Sequence, residues 1–143
     1  MADRFAILGQ AFPDGVWADA ADPTNNEDVL YAVPVPDDRD AAAKMSEPES
    51  VAFQTQAIVS SVIVCNQDPV NPVLFYVRLR SYKEATLVPL LDKKQFLFYG
   101  TSVGPNRTQI LSLALTLSPG DEIRVGTSVA DKLSFTAMGI EVT

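Results

Sequence analysis

The fold of this chain is decided by residues Val51–Thr143, where short segments of strand-forming residues follow one another with turns between them. Along several segments apolar and polar residues alternate, which predicts antiparallel strands that pack one face on a core. In Thr108–Leu117, for example, every second residue from position 111 is a leucine. The segments are Gln56–Asn66 (QAIVSSVIVCN), Val73–Ser81 (VLFYVRLRS), Gln95–Val103 (QFLFYGTSV), Thr108–Leu117 (TQILSLALTL), Glu122–Thr127 (EIRVGT) and Leu133–Val142 (LSFTAMGIEV).

Two further strands are predicted nearer the N-terminus, at Arg4–Gln10 and Asp28–Val35. Pro34 and Pro36 cannot donate a ladder hydrogen bond, so the second of these strands should end early or lie at a sheet edge. About eight strands with no helical crossover between them indicate an all-β antiparallel β-sandwich that is jelly-roll-like. A barrel remains the alternative.

The charge of the chain is concentrated in its first 50 residues. These hold 11 Asp and Glu against 3 Lys and Arg, while the whole chain of 143 residues has a net charge of −7. We expect one β-sandwich domain over 1–143, with an acidic N-terminal arm and loops in 1–50 and a strand-rich core in 51–143. The long acidic loops are 11–27 and 36–50. Because the strand-rich part is nearly neutral, with 8 Lys and Arg against 7 Asp and Glu, binding to nucleic acid is not expected.

The sequence offers little reactive chemistry. There is no histidine, which excludes a Ser–His nucleophile and histidine ligands to zinc. The one cysteine, Cys65, is predicted to be a buried, unreactive core residue. The segment Asp22–Asp28 (DPTNNED) has oxygen ligands that could hold Ca²⁺, but it lacks the EF-hand order and is interpreted as a polar loop. We therefore expect no enzyme activity, no catalytic or metal site and no cofactor.

Four apolar residues near the N-terminus are candidates for an interface: Phe5, Ile7, Leu8 and Trp17. The first three form a short strand that either completes its own sandwich or adds to the sheet edge of a neighbouring subunit. Trp17 lies in an acidic loop, where it either closes the edge of the core or anchors a partner.

Several short motifs are spread along almost the whole chain. They are Leu8–Gln10 (LGQ), Leu30, Tyr31, Val33 and Pro34, Val59–Asn66 (VSSVIVCN), Phe98 and Tyr99, Leu115–Leu117 with Gly120 and Asp121, Leu133–Phe135, and Gly139–Thr143 (GIEVT). In this order the motifs resemble those of small structural proteins of tailed bacteriophages. The resemblance implies a virion component without enzymatic activity, although the acidic loops are longer here than in that family.

The expected function is therefore that of a non-enzymatic structural protein of the virion, made in the host cytoplasm. It would be an accessory component of the tail, the neck or the head decoration, and would act as a homo-oligomer through contacts with other virion proteins. No membrane partner is expected, because no apolar run approaches the length of a membrane span. The alternative is a β-sandwich module that binds a receptor or a carbohydrate.

Overall fold

A computed structural model describes residues 4–16, 27–34, 56–80 and 96–142. Within these residues the chain forms eight β-strands and no helix. The strands are β1 (Arg4–Ala11), β2 (Asp28–Ala32), β3 (Gln56–Asn66), β4 (Val73–Arg80), β5 (Phe96–Val103), β6 (Thr108–Leu117), β7 (Glu122–Thr127) and β8 (Leu133–Val142).

The strands form two four-stranded antiparallel sheets, with the orders β1-β8-β3-β6 and β2-β7-β4-β5. The predicted all-β antiparallel β-sandwich is confirmed. Apart from the step from β4 to β5, each successive strand lies in the other sheet. Pairing therefore joins distant parts of the chain, such as Arg4 in β1 and Glu141 in β8.

The core lies between the two sheets and is built from the inward residues of both. Val59, Val62 and Val64 of β3 are fully buried, as are Ile123 and Val125 of β7. The two sheets also meet through Phe75 of β4 and Phe135 of β8, whose rings pack edge to face with centroids 5.9 Å apart. Such aromatic pairs add to the free energy that burial of their apolar area supplies.

The strand boundaries follow local sequence signals closely. β3, β6, β7 and β8 have the predicted limits, and β1, β4 and β5 differ by one residue at one end. β2 ends at Ala32, before the proline at position 34, as expected for a residue without a backbone N–H. Beyond β2 the amide of Val33 donates to the carbonyl of Asp121. This hydrogen bond attaches the end of β2 to the turn between β6 and β7.

One feature of β3 departs from simple alternation. Its buried residues are Ala57 and Val59 in the first half, but Val62, Val64 and Asn66 in the second half. The register shifts between Val59 and Ser61 in both pairings of the strand, which marks a β-bulge. The hydroxyl of Ser60 donates to the carbonyl of Met138 at this point. The bulge turns the other face of the strand toward the core.

Several predictions fall outside the described residues. These are Trp17, most of the two acidic loops over 11–27 and 36–50, and most of the segment Asp22–Asp28. The division into one domain over 1–143 stays a prediction.

Candidate interaction surfaces

The predicted N-terminal interface strand is β1, at the end of its own sheet. It pairs with β8 along its length, so the strand takes part in its own sandwich. Ile7 is 57% exposed and lies opposite Met138. Leu8 packs against the core, because the register shifts between Ile7 and Gly9. Phe5 is the backbone partner of Ile140, and its side chain is not among those described. Contact with a neighbouring subunit stays a prediction.

β1 also touches the opposite sheet. A Cβ atom at Gly9 would overlap the carbonyl oxygen of Leu30 in β2, so the two edge strands meet closely at this residue. Near the other end of β1, the hydroxyl of Tyr31 donates to Glu141 of β8 at 2.7 Å. Burial, and then the hydrogen bond to Glu141, raises the pKa of Tyr31. These contacts join the two sheets at the side of the sandwich where β1 and β2 lie.

A buried ion pair lies on the outer face of the β2-β7-β4-β5 sheet. Arg78 of β4 and Glu27, just before β2, are both buried, and Arg78 Nε lies 2.7 Å from Glu27 Oε2. A second nitrogen of Arg78 contacts Glu27 Oε1, so the pair is bidentate, the geometry that suits a guanidinium and a carboxylate best. Arg124 of β7 also contacts Glu27, at 3.1 Å, and binds Glu122 at 2.9 Å.

Tyr76 extends this charged cluster into an aromatic one. Its hydroxyl donates to Glu27 at 2.8 Å, and its ring lies over Gly126 of β7, where a Cβ atom would overlap the ring. Phe96 and Tyr99 of β5 pack against the Tyr76 ring, with centroids 5.0 and 6.4 Å away. Tyr76 is completely buried, while Tyr99 is 58% exposed. A glycine at position 126 is therefore required for Tyr76 to cross β7.

The electrostatics of the cluster favour a neutral phenol at Tyr76 and a charged guanidinium at Arg78. Burial, followed by the charge of Glu27 and the hydrogen bond to it, raises the pKa of Tyr76, so the phenol stays neutral. Burial alone would lower the pKa of Arg78. The hydrogen bond and charge of Glu27 outweigh burial, and the pKa of Arg78 is raised. Two arginines face two glutamates, so the charges within the cluster balance.

Alternation of side chains along β4 puts Tyr76 and Arg78 on the face opposite to Phe75, which is the outer face of the sheet in the structure. Alternation does not predict that Tyr76 and Arg78 are buried. The partner of Arg78 is Glu27, which is 51 residues away along the chain. No periodicity within β4 can report such a contact. A local hint was available in Gly126, because an isolated glycine within a strand often marks a close approach.

One end of the sandwich is organised by Asn66 and Asp68. The buried amide of Asn66 donates to the carbonyls of Asn71, Val103 and Gly104, at 3.0 to 3.2 Å. Asp68 accepts from the backbone amides of Asn71 and Val70, and these two hydrogen bonds hold the pKa of its carboxyl below the ordinary value. The pair links the β3–β4 turn to the β5–β6 turn.

Cys65 does not occupy the predicted place in the core. It is half-buried and lies on the outer face of β3, between Thr108 of β6 and Ser134 of β8. The bulge at Ser60 is the reason, because it changes which residues of the second half of β3 face inward. The prediction that Cys65 is a buried core residue is therefore wrong.

The described residues contain no group of three or more His, Cys, Asp or Glu positioned to hold a metal ion. Among these same residues, no helix is long and apolar enough to cross a membrane. In comparisons with known proteins, no family model matches this chain, and no curated protein or solved structure matches it either.

Proposed function

We propose that this protein is a non-enzymatic structural component of the virion of a tailed bacteriophage, an oligomeric accessory protein of the tail, the neck or the head decoration. The observation that carries the proposal is the strand order. Four strands in each sheet, with β1 beside β8 and β2 beside β7, support the jelly-roll-like form of the sandwich that the sequence predicts. Jelly rolls are a common fold of viral capsid domains.

The strand order supports this function by analogy of fold, and the resemblance of the short motifs supports it independently. The site chemistry agrees with both. The most elaborate polar cluster of the described residues, around Arg78 and Glu27, is buried and charge-balanced, as a structural cluster should be. A rigid sandwich of this kind suits a part that acts by presenting surfaces to its neighbours.

The proposal is tested on purified particles of the phage that encodes the chain. Particles are banded in a density gradient, and each fraction is analysed by quantitative mass spectrometry. We expect the chain to follow the major head protein through the gradient at a constant ratio, with a lysis enzyme of the same phage as the non-structural control. A chain that remains with the control in the soluble fraction would contradict the proposal.

A second candidate function, a receptor-binding or carbohydrate-binding module, is favoured by the exposed ring of Tyr99. Phe96 packs edge to face against Tyr99 at a centroid distance of 4.9 Å, and exposed aromatic rings of this kind stack on sugars. The test is a glycan array with wild type, Tyr99→Ala and Leu97→Ala. Glycan binding that is lost in Tyr99→Ala and kept in Leu97→Ala, an exposed apolar neighbour, would establish this function.

A further inference from the structure

The outer face of the β1-β8-β3-β6 sheet is almost free of charge. Its four strands contain only Arg4 and Glu141 as charged residues, whereas the chain as a whole is 20% charged. Glu141 accepts a hydrogen bond from Tyr31 of the opposite sheet. The described side chains on this outer face, named here the neutral face, are isoleucine, methionine, serine, threonine and other uncharged residues. Its central members are Ile7, Ile58, Ser61, Ile63, Ile110, Ser112, Met138 and Ile140.

Three of the five isoleucines of the neutral face are open to solvent in the single chain, and Ile63 and Ile140 are half-buried. Ile58 in the middle of the sheet is 41% exposed, and Ile110 on β6 is 65% exposed. The other sheet differs, since its outer face holds Arg78, Arg124 and Glu122. A contiguous exposed apolar area on one face of a monomer marks an interaction site, and the cores of interfaces are depleted in charge.

We propose that the neutral face is the self-association surface of this protein, on which a second copy of the chain packs its own neutral face about a two-fold axis. This inference rests on the proposed function and names the surface that its oligomer uses. The β1-β8-β3-β6 sheets of the two copies would bury their isoleucines against each other across the axis. The serine and threonine hydroxyls of the neutral face would form hydrogen bonds across the contact or with polar groups at its rim.

Charge identifies a second copy as the occupant. In a two-fold contact the same patch meets itself, so any net charge on the patch would face an equal charge. The chain has a net charge of −7, and two such chains repel at most orientations. The neutral face permits close approach of two copies without burying charged groups, whereas a contact through the outer face of the other sheet would have to desolvate Glu122 and Arg124 of both copies.

The size of the neutral face is sufficient for a stable contact. Its strands have 8 to 11 residues. With strands about 4.8 Å apart and a rise of about 3.3 Å per residue, the face covers roughly 600 Å². Two copies would together bury roughly 1,200 Å², which is within the range of specific interfaces.

The experiment is light scattering coupled to size-exclusion chromatography on the purified full chain and four lysine variants. Ile110→Lys and Ile58→Lys place a charge on the neutral face. Val70→Lys (74% exposed) and Leu74→Lys (40% exposed) are controls of similar exposure elsewhere. We expect wild type and both controls at a multiple of the 15.5 kDa chain mass, and both neutral-face variants at the mass of one chain.

Ser112→Lys tests whether dissociation follows from the added charge or from loss of the fold. Ser112 is already an exposed polar residue of β6, so a lysine there should leave the monomer folded, as measured by circular dichroism and melting temperature. It should also dissociate the oligomer. Single-chain mass for wild type, oligomers in folded Ser112→Lys, or equal dissociation of the controls would each overturn the proposal. A monomeric wild type that still bands with particles would leave the role as a structural component of the virion intact and would refute this surface and the oligomer built on it.

Discussion

Arg78 and Glu27 show how one pair of side chains can connect distant segments of this chain. The bidentate pair brings the residue before β2 to the outer face of β4, and Arg124 and Tyr76 complete the contacts of the Glu27 carboxylate. Removal of one partner from a buried pair leaves the other charge without compensation, which costs far more than the pair contributes when it is intact.

Arg78→Met should therefore lower the free energy of unfolding by about 3–5 kcal/mol. Arg124→Met is the matched control. Arg124 is partly exposed and leaves the Arg78–Glu27 contact in place, so the loss should be about 1 kcal/mol or less. Urea denaturation followed by circular dichroism measures both. The double variant Glu27→Gln with Arg78→Met should recover part of the loss. Equal losses in the two arginine variants would show that the buried pair has no special weight.

Tyr31 and Tyr76 make stability sensitive to alkaline pH. The pKa of each phenol is raised in the folded protein, so above about pH 10 the unfolded chain releases protons that the folded chain keeps. The free energy of unfolding should fall as pH rises from about 10. Tyr31→Phe and Tyr76→Phe should each reduce this slope. Denaturation curves at several alkaline pH values measure it, and an unchanged slope in both variants would contradict the assignment.

At the scale of the element, β6 shows how strand position decides burial. Its four leucines share one face, as the sequence predicted, and Ser112, Ala114 and Thr116 on the other face are exposed. Leu111 and Leu117 are buried, whereas Leu113 and Leu115 are half-buried. β6 lies at the end of its sheet, and its register against β3 shifts between these residues. The middle of the strand is therefore less covered than its ends.

Truncation of these leucines should reveal the difference. Leu117→Ala removes a fully buried side chain and should cost about 2–5 kcal/mol. Leu113→Ala removes a half-buried one and should cost clearly less, because the site keeps contact with water and leaves a smaller cavity. Chemical denaturation of the two variants measures the ratio. Similar losses would mean that Leu113 is as buried in solution as Leu117.

At the scale of the whole molecule, the first and last strands lie side by side. β1 pairs with β8 from Arg4↔Glu141 to Ala11↔Phe135, so the beginning and the end of the described chain depend on each other. Leu8 adds an apolar contact with the core. The N-terminal strand is therefore part of the fold, whatever partner its open edge meets.

Deletion of residues 1–10 should destabilise the single chain. Loss of the Leu8 burial alone is worth about 1–2 kcal/mol, which corresponds to a fall in melting temperature of about 3–8 °C, and loss of the ladder to β8 adds to it. Gln10→Ser is the control, because it keeps the strand and removes only an exposed side chain. Differential scanning calorimetry on the monomeric form measures both. A deletion that disrupts assembly without lowering the melting temperature would show that β1 serves only as an inter-subunit arm.

The sequence by itself determined the strands, since each is specified by local properties. Alternation of side chains defines β6 and β8, and the proline at position 34 explains why β2 stops at Ala32. The absence of histidine and the acidity of the first 50 residues are equally local facts. For that reason the all-β sandwich and the leucine face of β6 were predictable.

Only the tertiary structure decided which strands are neighbours and which outward residues are covered. The order β1-β8-β3-β6, the bulge that places Cys65 on the outer face, and the burial of Arg78 by Glu27 depend on contacts between residues far apart in the chain. A period of two fixes the two faces of a strand, but it carries no information about the neighbour on either face. The neutral face emerges only when four uncharged strand faces are brought together in one sheet.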